Sequence, residues 1–396
     1  MNLSGTTTAW PTRRAGRATV LAQFGAARTD LLHWALTTGD PLADAAAEEM
    51  HALGMRRARA LFARGVREGL EALEDAPPAL SALLAAAQSV PAYVDDDLLD
   101  TGSSAYFSSP ASVHIVSLSA GSLVRVYESP SIATVLAASG RFVDDAGRRI
   151  QETGRWLLKA MLPGSLRRGA PGYVATLEVR MLHAHMRRHA LERGYDAEAF
   201  GTPVNQVDLA RTWMDFTLTA FTTEEALGQG LSRRETASLY RYWWYVGHLL
   251  GIDSRLIEGI ADNTAARRLD DVLQAVTGPL PPEAAVLTDA TLRAVSDELR
   301  ELLHVPPYLS RPFLDAITRR THGDAVCQDL GVPARPVAGL LLAATTATLR
   351  RRRERYRADP AAWRTRHAGN LQEVRQFLAE AAEPTAFERG ATSGAD

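Results

Sequence analysis

The stretch Tyr173–Arg193, YVATLEVRMLHAHMRRHALER, decides the fold. Its apolar residues recur every three or four positions, the period of an amphipathic helix. Val179, Leu182, His183, Met186 and Ala190 fall on one face. His183 therefore sits mid-helix on the apolar side. His185 points about 160° away from it, so the two cannot grip one metal from an intact helix.

The same period runs outward in both directions. Over 141–161 it places Phe142, Ala146, Arg149, Ile150, Thr153, Trp156, Leu157 and Ala160 on one face. Arg149 and Thr153 are polar and sit one turn apart on the stripe expected to be buried. A buried arginine is costly without an anionic partner. That partner is either a core carboxylate or a ligand in a cavity. Between 193 and the next helix (208–221) lies GTPVNQVD, Gly201–Asp208. It reads as a turn, with Asp208 as N-cap and Asn205 and Gln206 satisfying backbone groups. Ser232 and Glu235 form a capping box for a helix ending at Leu250–Gly251.

Upstream, Asp40-Pro41 opens a helical run from Leu42 to Leu73, with a break near Gly54. Pro77-Pro78 starts another, to Val90. Pro91–Ser109 reads as a loop. Val113–Leu118 fits a short strand or a helix equally. Ser129-Pro130 caps a helix to Ser139. Downstream, helices are expected over 254–277, 283–303, 311–321, 334–357 and 360–382, with a polar, disordered tail at 386–396. There is no repeat and no strand–helix alternation, so the expectation is an all-α fold. Its single large helical domain spans 40–385 and follows an extension over 1–39.

The chain of 396 residues is 46% hydrophobic and 23% charged, which excludes wholesale disorder. A net charge of −2 gives no overall attraction to nucleic acid. No apolar run approaches the length of a membrane span. Lys159 is the only lysine and Cys327 the only cysteine, so no internal disulfide forms. Arg13-Arg14 is a twin arginine. The apolar patch after it is interrupted by Gln23, Arg28 and Asp30, which speaks against an export signal and for a cytoplasmic protein. Arg350–Arg357, RRRRERYR, lies in the last turns of a helix, where cations are favourable; it reads as a solvated face. His185, His189 and Glu192 have a metal-compatible spacing, read as a solvated face with zinc hydrolysis as a weaker alternative.

Several of these pieces together resemble a known family. Arg149-x-x-x-Thr153, His183 within Val179-Arg180-Met-Leu-His183-Ala, and Gly201-x-Pro203-x-Asn205-Gln206-x-Asp208 are similar to the latex clearing protein (rubber oxygenase) and MpaB-like oxygenases. Asp40-Pro41 with Asp44, Pro91–Asp95 and the Gly247…Gly251-Ile252 region extend the resemblance over roughly 40–260. It implies an all-α, globin-like core around one b-type haem, with O2 as co-substrate. It makes His183 the axial iron ligand. It places Arg149 and Thr153 in the haem pocket, the arginine near the iron or a propionate and the threonine offering its hydroxyl to oxygen or a pocket water. Arg180 and Asp208 become supporting residues. The distal lysine of characterised rubber oxygenases falls at Glu152, which becomes a carboxylate for base work or a partner of Arg149. The family's glutamate base falls near Ala133, with Glu128 close by.

The expected function is oxygenation, by cleavage of a C=C bond, of a small apolar unsaturated molecule such as a terpenoid, polyketide or lipid. The alternatives are a haem or apolar-ligand carrier without turnover, and a polyisoprene-cleaving enzyme if exported. No nucleic-acid partner is expected.

Overall fold

The computed structural model describes residues 9–138 and 146–380. All regular structure among them is helical. Before Asp40, where the sequence suggested an extension, lie α1 (Arg17–Phe24) and α2 (Ala26–Thr37). They bury Val20, Leu32 and Leu36 in the main core. Arg14 is buried too, and its guanidinium reaches the Phe200 and Thr277 carbonyls, Ser131 and Asp208.

Asp40 caps α3 (Pro41–Leu53), accepting from the Ala43 amide. The expected break is at Gly54, φ +92°, a conformation open to glycine, and α4 (Met55–Glu68) follows. After α5 (Pro78–Gln88), the stretch read as a loop contains α6 (Asp96–Thr101) and a 3₁₀ turn, Ser104–Ser108. The Asp-rich composition that suggested a loop is an N-terminal helix signal: Asp95 caps the Leu98 amide at 2.7 Å, and Asp96 and Asp97 occupy the first turn.

The ambiguous Val113–Leu118 is helical. It starts as α7 (Ala111–Val116), passes through a π segment, Ser117–Leu123, and ends as α8 (Val124–Val126). Then come α9 (Pro130–Ala138), α10 (Ala146–Met161), α11 (Pro171–Glu192) and the short α12 (Ala197–Phe200). The expected 208–221 helix runs as α13 (Gln206–Met214), a second π segment, Asp215–Thr219, and α14 (Ala220–Ala226). The two π segments pack on each other. Ser122 donates to the Asp215 carbonyl at 2.6 Å, serving a group that the wider turn leaves available.

The Ser232 capping box is present on α15 (Arg233–Leu249). The expected 254–277 helix is two pieces, α16 (Ser254–Ile257) and α17 (Asn263–Gln274), because Asp262 caps a fresh start. The chain finishes with α18 (Glu283–Leu303), α19 (Pro307–His322), α20 (Asp324–Asp329), α21 (Pro336–Ala358) and α22 (Pro360–Glu380).

There are two apolar cores. The larger is built from α2–α5, α10, α11, α13 and α15; the smaller lies between α8, α9, α18, α19 and α21. A buried polar seam joins them. In it Arg125 pairs with Asp215 and Asp270, Asp208 takes Ser131 and Arg14, and His322 meets Glu128.

Candidate functional site

Helix α11 begins at Pro171, where the missing amide costs nothing. It forms an antiparallel hairpin with α10. Gly172 permits the approach, since a Cβ there would fall 2.6 Å from the Lys159 carbonyl oxygen. One turn on, Trp156 Nε1 donates to Thr176 Oγ1 at 3.2 Å. From that contact, seven residues back along α10 lead to position 149, and seven forward along α11 lead to 183. Both steps are roughly 10 Å and return to the same face, so the two positions stand level across the hairpin. The side chain of Arg149 lies outside the described residues. Thr153 is half-buried, and its hydroxyl makes no hydrogen bond among the described residues. Glu152, half-buried beside it, is engaged.

The face of α11 expected to be buried is not. Tyr173, Leu177, Met181 and Ala184 enter the core instead. Val179, His183 and Met186 are half-covered, and Leu182 is 44% exposed. The apolar stripe is thus only partly covered, with Val179 packed on the edge of the main core. His183 Nδ1 is buried and has no partner among the described residues. Burial holds the imidazole pKa down at about 4; Arg187 adds to the shift and Asp40 opposes it. Its neutral form, the one that can bind a metal, persists across the neutral range.

Two ion pairs flank this histidine. Three residues before it, Arg180 grips Asp40 bidentately, Nε–Oδ2 2.6 Å and Nη2–Oδ1 3.0 Å. Four residues after it, Arg187 meets Asp44 at 2.6 Å and donates to the Val204 carbonyl at 3.0 Å. Burial raises the Asp44 pKa, and Arg187 offsets part of that rise. The two carboxylates are one turn apart on α3, so the pairs fix α11 against α3 at two levels. A glycine packs on each. A Cβ at Gly251 (φ +77°) would fall 2.2 Å from Asp40 Oδ2, and one at Gly39 would fall 2.7 Å from Arg187 Cδ. Arg187 Nη2 is buried without a partner among the described residues.

The Gly201–Asp208 turn closes the site. Asn205, not Asp208, is the N-cap of α13, accepting from the Asp208 amide at 3.0 Å. The Asp208 carboxylate is drawn instead into the polar seam. Gln206 ties three segments together: its amide donates to the Gly39 and Gly251 carbonyls and its oxygen accepts from the Asp253 amide. Val204 is held at φ +51°, a strained value for a β-branched residue. Its carbonyl is the one Arg187 takes.

Sequence reasoning did not single out Arg187, Gly39 or Val204. Arg187, one turn beyond His183, carried a usable signal; the strain at Val204 carried none. The other motif, His185, His189 and Glu192, does not assemble. His189 is exposed, the Glu192 carboxylate holds Arg188 at 2.8 Å, and no metal-competent trio occurs among the described residues.

Motif residues spread from Asp40 to Gly251 thus meet at the two ion pairs that flank His183. Residues 106–379 match the family model described as ER-bound oxygenase mpaB/B′/rubber oxygenase, catalytic domain. The chain belongs to this family. Within the mpaB/rubber oxygenase family, the rubber oxygenase of Streptomyces sp. (strain K30) is 25% identical over 271 residues, 65% of this chain. The chain covers 61% of that relative's length. The latex clearing protein in its closed state shares the fold, with a TM-score of 0.64 at 21% identity, over 87% of this chain and 91% of that one. No helix among the described residues is long and apolar enough to cross a membrane.

The residues around His183 fit a haem. They offer a neutral imidazole without a partner among the described residues, a half-covered apolar stripe for a macrocycle, and a buried guanidinium N–H on Arg187 available for a carboxylate.

Proposed function

We propose that the chain is a b-type haem-dependent oxygenase acting on a small apolar unsaturated substrate, a terpenoid, polyketide or lipid. The observation that carries this reading is His183: neutral, without a partner among the described residues, and held on a half-open apolar face between two arginine–carboxylate pairs. Haem, when bound, supplies the oxygen chemistry. One O2 and one C=C bond become two carbonyls, so the double bond provides all the electrons and no external reductant is needed.

The chain's own residues have separate tasks. His183 supplies a ring nitrogen. The Arg180–Asp40 and Arg187–Asp44 pairs keep α11 in register, so the imidazole holds its position. Arg187 Nη2 is placed to receive a carboxylate. Val179, Leu182 and Met186 exclude water from one side. Thr153 Oγ1, without a hydrogen bond among the described residues, can donate one, and Glu152 is the adjacent carboxylate. The reading includes a cytoplasmic setting, which the engagement of Arg14 within the fold supports.

The test is the absorbance spectrum of the purified protein with a pyridine haemochrome assay. About one b-haem per chain is expected, and it should be lost in His183→Ala. Absence of haem after expression with haem supplied would sink the reading. Oxygen uptake with apolar alkenes and no added reductant distinguishes an oxygenase from a carrier, which would give spectral shifts alone.

A further inference from the structure

The arginine run Arg350–Arg357 is not uniformly solvated. Arg353 turns inward, 4% exposed, and donates to the Ser108 and Gly230 carbonyls, Ser108 Oγ and Gln229 Oε1. The opposite face of α21 is therefore fixed outward. On it, by helical spacing, lie Val337, Leu340, Leu341, Ala344, Thr348, Arg351 and Arg355. Val337 is 71% exposed, Leu340 75% and Leu341 53%. The stripe is roughly 27 Å long, apolar in its first half and cationic in its second.

The start of α21 is tied to the middle of α19, where Arg335 pairs with Asp315 and Arg319 donates to the Val332 carbonyl. At the other end Arg351, Arg352 and Arg355 line an open groove of about 580 Å³ between α21 and α22. Arg351 and Arg355 have no partner among the described residues, and Arg352 reaches only the Tyr356 hydroxyl. Asp359, also at the groove, is occupied capping the Ala361 and Ala362 amides.

We propose that this face docks the protein on an anionic phospholipid surface. The arginines take headgroup phosphates while Val337, Leu340 and Leu341 enter the acyl boundary. A monomeric protein seldom leaves so many large apolar side chains together in water. A second copy is a poor occupant, because the stripe carries no carboxylate to meet its own arginines. Nucleic acid leaves the apolar half unexplained. The inference does not depend on the oxygenase reading.

The test is co-sedimentation of the full chain with vesicles. Binding is expected to phosphatidylglycerol–phosphatidylcholine vesicles, to weaken with salt, and to be absent on pure phosphatidylcholine. Each arginine at such a surface contributes about fivefold (~1 kcal/mol), so the Arg351→Gln, Arg352→Gln, Arg355→Gln triple variant should bind about a hundredfold more weakly. Leu340→Asp with Leu341→Asp should also abolish binding, with an unchanged melting temperature, since both side chains are exposed. No binding of the wild type at low salt would overturn the proposal. So would a loss confined to the arginine variant or to the leucine variant. Dimerisation in sedimentation velocity that the leucine variant abolishes, without vesicle binding, would assign the face to a second copy instead.

Discussion

Arg180 and Asp40 meet through two parallel hydrogen bonds directly beneath the α-carbon of Gly251. The pair joins α11 to the capped end of α3, and Gly251 is the lid over it. Both side chains are buried, so the pair's worth lies in what happens when one half is lost.

Replacing Arg180 by methionine should destabilise the chain by about 3–5 kcal/mol, because Asp40 is left buried and ionised. Asp40→Asn, which keeps the helix cap, should recover much of that loss in the Arg180→Met background. Urea midpoints of the two single variants and the double variant read the coupling. Additive losses would mean that the pair does not act as a unit.

Gly251→Ala combines a left-handed backbone with a contact too close for carbon. A loss of about 2–4 kcal/mol is expected, together with less haem if the proposed oxygenase reading holds, since α11 must shift to make room. A variant that melts with the wild type would show that the segment relaxes freely.

Asp215 titrates at about 7, raised chiefly by burial, with Arg125 and Arg211 opposing and Asp270 and Glu128 adding to the rise. The folded state therefore holds a proton that the unfolded chain gives up near the ordinary 3.8. Its contribution is full below that value and is lost as pH rises through about 7. Asp215→Asn should flatten this part of the stability profile and gain most at pH 8. Melting curves at pH 5 and pH 8 check the sign: a variant that loses stability at pH 8 would mean that the carboxylate is paid for by Arg125.

Within RRRRERYR the arginines should separate sharply. Arg353→Met leaves the Ser108 and Gly230 carbonyls without their donor and should cost about 3 kcal/mol. Arg351→Gln should change the melting temperature by less than the error. Thermal unfolding of the two variants side by side is sufficient.

The helices and many of their ends were legible because period and caps are local: Asp40, the break at Gly54 and the Ser232 box are where the sequence places them. His183 was legible as a polar residue on an apolar face. What escaped was set by partners distant in sequence. The buried face of α11 turned away from the expected stripe because Arg180 and Arg187 follow the carboxylates of α3. Arg353 left its run because Ser108 and Gly230 waited inside. Asn205 took the cap from Asp208 because Arg14 and Ser131 claimed that carboxylate. The π segments left no local trace, since they differ from α-helix by a single residue per turn.

Arg14 has a consequence for how the chain is assembled. Its guanidinium rests on the Thr277 carbonyl, 263 positions later, and on Phe200, 186 positions later. A ribosome emitting residues in order finishes the segment around Arg14 long before its seat exists. That segment must therefore remain unseated until residues up to Thr277 have emerged, and it docks only after both cores have met across the seam. Maturation of the fold is timed by its distant downstream residues, and a part made early is among the later ones to settle.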